Sequence, residues 1–103
     1  MKHIEYIGEH ILDDNILSVF ELMQDILLYS DPEYRFKLSY KKGEDVIGHV
    51  FPSKPEYKQE IIDNLMHFNR KMGLKVRYSK SLKISKTVSF TIDINSLPLS
   101  QTN

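Results

Sequence analysis

The chain has 103 residues, a formal net charge of zero and no cysteine. That length is one domain's worth, able to bury one modest core but with little room beside it for a deep substrate cleft. Disulfides, thiolate metal sites and cysteine nucleophiles are excluded, and no apolar run approaches the ~18 residues that span a bilayer.

The charge is unevenly spread. Residues 1 to 33 hold one cation, Lys2, against eight carboxylates, whereas residues 71 to 103 hold six cations against Asp93 alone. Such asymmetry points to charged partners, or to two ends that neutralise each other across the fold. The N-terminal "MKHIEYIGEH" lacks the apolar stretch of a signal peptide. A cytoplasmic location, in its own cell or a host, is therefore expected. The Lys, Ile and Asn content suggests an AT-rich gene, as in phages and other mobile elements.

In chain order, Ile4 and Tyr6 alternate with His3 and Glu5, the period of a half-buried strand that Gly8 ends. "DDNILSVFELMQDILLYSDP" is a helix. Asp13 or Asp14 can cap it, and Ile16, Val19, Phe20, Met23, Ile26 and Leu27 recur on one face. Leu17, Leu22, Leu28 and Tyr29 widen that stripe beyond one face. Pro32 stops the helix. "EYRFKLSYKKGEDVIGHVFPS" is a hairpin in which Tyr34, Phe36, Leu38 and Tyr40 alternate with Arg35, Lys37, Ser39 and Lys41. Its turn uses Gly43, and Val46 to Phe51 return.

"SKPEYKQEIIDNLMHFNRKMGL" is a second helix. Ser53 and Glu56 have capping-box spacing, and Tyr57, Ile61, Leu65, Phe68 and Met72 form its apolar stripe. Gly73 and Leu74 fit a left-handed C-terminal cap. "LKVRYSKSLKISK" then alternates cations with apolar residues through Leu74, Val76, Tyr78, Leu82 and Ile84. It predicts one long bent strand or two short ones joined near Ser79 to Ser81. Val88, Phe90 and Ile92 continue as strand. Residues 1–95 form a single α+β domain and 96–103 a polar tail. The order strand, helix, strand, strand, helix, strand predicts a ferredoxin-like split βαβ fold. In it two helices cover one face of an antiparallel sheet, with an extra C-terminal strand possible.

The four glycines are too far apart for a phosphate loop or a dinucleotide fingerprint, and no G-x-S-x-G elbow exists. Glu60, Asp63 and His67 share an exposed helix face with metal-like spacing, but a solvated face explains them as well. His49 lies on a strand and could serve as an acid or base beside lysines, as a small metal-independent ribonuclease requires. No second catalytic group is fixed near it. The expectation is a non-enzyme with no cofactor and no bound metal.

Two surfaces carry the functional expectation. Arg35, Lys37, Lys41, Lys75, Arg77 and Lys83 converge on the open sheet face if the helices cover the other one. Such a face binds RNA or single-stranded DNA through phosphates, or an acidic protein. Base stacking needs aromatics there, and the strand aromatics fall mostly on the core parity, with Phe51 the exception. The second surface is the outer side of the first helix, with Leu17, Glu21, Asp25, Leu28 and Tyr29, an acidic-apolar patch suited to a protein partner or a second copy. The leading reading is a small interaction protein that binds and regulates or inhibits a larger macromolecule. Nucleic-acid binding and a small ribonuclease are the alternatives.

Overall fold

A computed structural model describes residues 4–8, 14–41 and 43–98. His3, His10, Asp13, Lys42 and residues 99–103, which entered the reading above, lie outside them. The elements are β1 (Ile4–Gly8), α1 (Asp14–Ser30), β2 (Arg35–Tyr40), β3 (Val46–Phe51), α2 (Lys58–Lys71), β4 (Val76–Tyr78) and β5 (Val88–Ile92). They form an α+β sandwich. Both helices contribute to one core with the strands, and the element order is compatible with a ferredoxin-like arrangement.

The sheet order is β1-β2-β3-β5-β4. β2, β3, β5 and β4 are successively antiparallel, and β1 joins β2 in parallel, with Ile4 beside Phe36 and Tyr6 beside Leu38. The first βαβ unit is therefore not split, because no strand separates β1 from β2. The split occurs in the second unit. β4 runs parallel to β3, and the C-terminal strand β5 fills the gap between them. The extra strand anticipated from Val88 to Ile92 is thus central to the sheet.

Alternation in each strand sorts the two faces. Phe36, Leu38, Tyr40, Val46, Val50, Val88, Phe90 and Ile92 are buried toward the helices. Against them α1 sets Ile16, Val19, Phe20, Met23 and Leu27, and α2 sets Ile61, Leu65 and Phe68. Spacings of three and four put each set on one helical face. Gly48 sits in register between Leu38 and Phe90. A Cβ there would lie 2.5 Å from Phe90 Cζ, so the ring occupies the space a side chain would take. Phe90 in turn contacts the rings of Phe36 and Tyr78, with centroids 6.1 and 6.0 Å away.

The α2 C-terminus closes as its sequence implies. Gly73 takes φ +71°, Gly73 N–H donates to Arg70 O and Leu74 N–H to Asn69 O, the paired bonds of a Schellman cap. Its start differs from expectation. Ser53 does not cap α2, because its hydroxyl and N–H both donate to the buried Asp31 carboxylate, at 2.6 and 2.7 Å. A 3-10 turn over Pro55–Tyr57 leads into the helix instead.

The tract from 74 to 86 is not one strand. β4 ends at Tyr78, and hydroxyls then build a loop. Ser79 Oγ accepts from Ser81 N–H, Leu82 N–H bonds Ser79 O, Ser85 N–H bonds Ser81 O, and Ser85 Oγ accepts from Thr87 N–H. Local serine bonds outcompete the alternating pattern of Leu82 and Ile84. The ordered domain also runs past residue 95. Leu97 belongs to the core, and Ser96 Oγ accepts from Lys75 N–H.

Gly48→Ala tests the packing around Phe90. Because the new methyl must displace a buried ring, a loss of about 1–3 kcal/mol is expected, read from the denaturation midpoint. An unchanged midpoint would contradict the close approach.

Candidate functional site

The face opposite the helices carries no covering element among the described residues. Register arranges its side chains in rows across the strands. One row runs Lys37, His49, Ser89, and continues in backbone register to Glu5 on β1. The next runs Ser39, Ile47, Thr91, Arg77, and Arg35 pairs with Phe51 at the other end. Arg35, Ile47 and Arg77 are exposed, while Lys37, His49, Phe51, Ser89 and Thr91 are partly so.

His49 Nδ1 and Ser89 Oγ lie 2.8 Å apart. Parity could have paired them, since both occupy polar positions of strands that the sequence did not show to be neighbours. The row supplies a base and a hydroxyl with Lys37 beside them. Phosphoryl transfer also needs a second acid-base group at the reacting atoms, and the described side chains of this row offer none beyond Lys37. Lys37 Nζ stands 5.8 Å from the Phe51 ring centre, a cation–π distance. Phe51 is thus the one strand aromatic among the described residues that reaches this face.

Of the six cations expected to converge, Arg35, Lys37 and Arg77 do lie on β2 and β4 of the open face. Lys41 and Lys75 are exposed just beyond β2 and just before β4. Lys83 does not join them. It sits in the β4–β5 loop beside the start of α2, because the segment that would have carried it as a strand is a turn. Arg77 also makes a 3.5 Å ion pair with Asp45, whose other oxygen accepts from Ile94 N–H. With side chains 79% and 40% exposed, that pair adds little stability, but it offsets charge on the face.

The outer side of α1 is the second surface. Glu21, Leu22, Asp25, Leu28 and Tyr29 are all exposed, Tyr29 at 91%, whereas Leu17 is half-buried and belongs partly to the core margin. Leu22, at 48% exposed, joins this surface, although its spacing places it in the apolar stripe of the helix.

The third surface is one that sequence reasoning missed. Two adjoining clefts of about 480 and 460 Å³ share Pro55 and Lys58, between the start of α2 and the 79–87 loop. Ile62, Met66 and Leu82 line one, and Ile84 and Lys86 the other. Ser53, held by Asp31, lines the wall. On α2, Asp63 accepts from Gln59. Among the described residues no three of His, Asp and Glu gather as metal ligands, and Glu60, Asp63 and His67 do not converge.

Beneath the sheet, Asn69 Nδ2 bonds the Tyr78 hydroxyl at 2.8 Å, and Asn69 Oδ1 is buried without a partner among the described residues. Burial raises the Tyr78 hydroxyl above the usual tyrosine value, and the Asn69 bond opposes this less strongly.

No protein-family model matches the chain, and no curated protein matches its sequence. Among the described residues no helix is long and apolar enough to cross a membrane.

The raised Tyr78 fixes a pH dependence. Folding keeps the phenol neutral to higher pH than the unfolded chain does. The related stability is complete below the ordinary value of about 10 and falls as pH rises from there through the folded value. Titration of tyrosinate absorbance should show a phenol ionising above the ordinary value, and Tyr78→Phe should remove it. The same substitution should flatten part of the alkaline loss, and ionisation of Tyr78 at the ordinary tyrosine value would contradict the burial.

Proposed function

We propose that the chain is a small non-enzymatic interaction protein that binds, and thereby regulates or inhibits, a larger macromolecular partner. The observation that carries this reading is the outer side of α1. Leu22, Leu28 and Tyr29 stand exposed on a helix whose other side is fixed to the core. An exposed aromatic beside leucines on a helix packed to the core is the composition of an interface centre. Glu21 and Asp25 supply an acidic rim, which favours a partner with basic groups around an apolar pocket. A second copy of the chain would need the same complementarity.

A second reading, RNA or single-stranded DNA binding on the open sheet face, draws support from Phe51 beside Lys37 and Arg35. One platform can stack one base. Asp45 on Arg77 reduces the net charge such binding requires.

Leu28→Glu with Tyr29→Ser should leave the circular dichroism spectrum and unfolding midpoint unchanged. Quantitative affinity capture from native cells should lose the specific partner by about tenfold or more, as removal of two central interface side chains costs. A partner retained equally by both proteins would overturn the α1 reading.

For the sheet face, Lys37→Glu with Arg77→Glu should abolish binding to oligouridylate and flatten its salt dependence. Retained, salt-sensitive binding would sink that reading.

A further inference from the structure

We infer that the paired clefts between α2 and the β4–β5 loop form a docking site for an acidic peptide segment bearing an apolar anchor residue. The inference rests on the reading of the chain as an interaction protein, but at a surface separate from α1.

Charge is the first argument. Lys58, Lys83 and Lys86 line the clefts, and among the described residues no carboxylate lies within ion-pair distance of any of them. Asp63, the one carboxylate of the lining, keeps its charge while accepting from the Gln59 amide, so the clefts set three ammonium groups against one carboxylate. The recess by β4 differs, because its lining sets the carboxylates Asp45 and Asp93 against the cations Lys75 and Arg77. That excess of positive charge over two adjoining clefts attracts an anion and gains from its arrival.

Apolar lining is the second argument. Ile62, Met66 and Leu82 floor one cleft, and Ile84, 87% exposed, stands at the other. A free phosphate would leave that surface wet, whereas a peptide with an aliphatic side chain between carboxylates covers it.

The third argument separates peptide from nucleic acid. No aromatic side chain lines either cleft, so bases have no ring to stack on. Carboxylates satisfied by lysines, with a leucine-sized anchor, fit what is there.

Finally, both walls are set in advance. Asp31 fixes Ser53 on one side, and the serine bonds of residues 79–87 fix the other. A preformed site loses little entropy on binding.

The test uses the full chain and a fluorescein-labelled peptide of alternating Glu and Leu, read by anisotropy, with oligouridylate as the nucleic-acid arm. The peptide should bind in the micromolar range and weaken as salt is added. Lys83→Glu with Lys86→Glu should weaken it by about tenfold or more, given the loss and reversal of two contacts. Leu28→Glu on α1 should leave it unchanged, so failure here and failure of the α1 reading give different patterns. Lys83→Gln with Lys86→Gln, which adds no repulsion, should give a smaller loss in the same direction. Absence of peptide binding, binding indifferent to both lysine pairs, or tighter lysine-dependent binding of oligouridylate would each overturn the proposal.

Discussion

Asp31 is the group on which the layout depends. Its carboxylate is wholly buried at the end of α1, and it accepts from Glu33 N–H, Ser53 N–H and Ser53 Oγ. A buried carboxylate is tolerated when several donors replace water. Those donors come from the turn after α1 and the turn after β3, so one side chain ties the two crossovers together. Next to it Ser30 Oγ donates to Ile26 O and accepts from Asn64 Nδ2, which ties α1 to α2. Removing Ser53 from capping duty moves the start of α2 to a 3-10 turn over Pro55–Tyr57, and that turn makes the wall of the basic cleft.

A second constraint follows from chain length. Two helices can cover one sheet face and no more. The other face must stay wet, and its Arg, Lys, His, Ser and Thr positions keep it so. Solubility of an uncovered sheet and attraction for a charged partner are met by the same side chains, which is why exposure alone does not distinguish them. The pairing pattern does separate the surfaces. On the sheet face, Arg77 is ion-paired with Asp45. In the α2 clefts, Lys58, Lys83 and Lys86 form no ion pair among the described residues and outnumber the one lining carboxylate, Asp63. The uncompensated charge of the C-terminal third is therefore concentrated by a loop, not spread along strands.

Much of this was legible in the sequence. Helical and strand periods located α1, α2 and the β2–β3 hairpin, because apolar residues there meet one dominant core. The Gly73 cap was legible for a local reason, since Gly followed by an apolar residue is a self-contained motif. What escaped involved competition between distant or equivalent partners. Ser53 had two possible acceptor or donor roles, and only the fold brings Asp31 to it. Residues 79–86 alternate like a strand, yet three serines two and four apart offer closer hydrogen bonds than a neighbouring strand could. β5 was legible as a strand, but its place between β3 and β4 was not, because pairing order depends on which gap the second crossover leaves. The exposed patch on α1 was foreseen from its over-wide apolar stripe, while Lys58, Lys86 and Ile84 carried no sequence signal until the loop was seen beside the helix.

The central claim is that the basic cleft is preformed in the free protein, held by Asp31 on one wall and by the serine-built turn on the other. Amide hydrogen exchange on the unliganded chain tests this directly. A preformed cleft requires Ser53, Leu82, Ser85 and Thr87 to exchange well below the rates of unstructured peptides, since each N–H has a fixed acceptor. Exchange of these four amides at unstructured rates, with core amides such as Phe90 still protected, would contradict it.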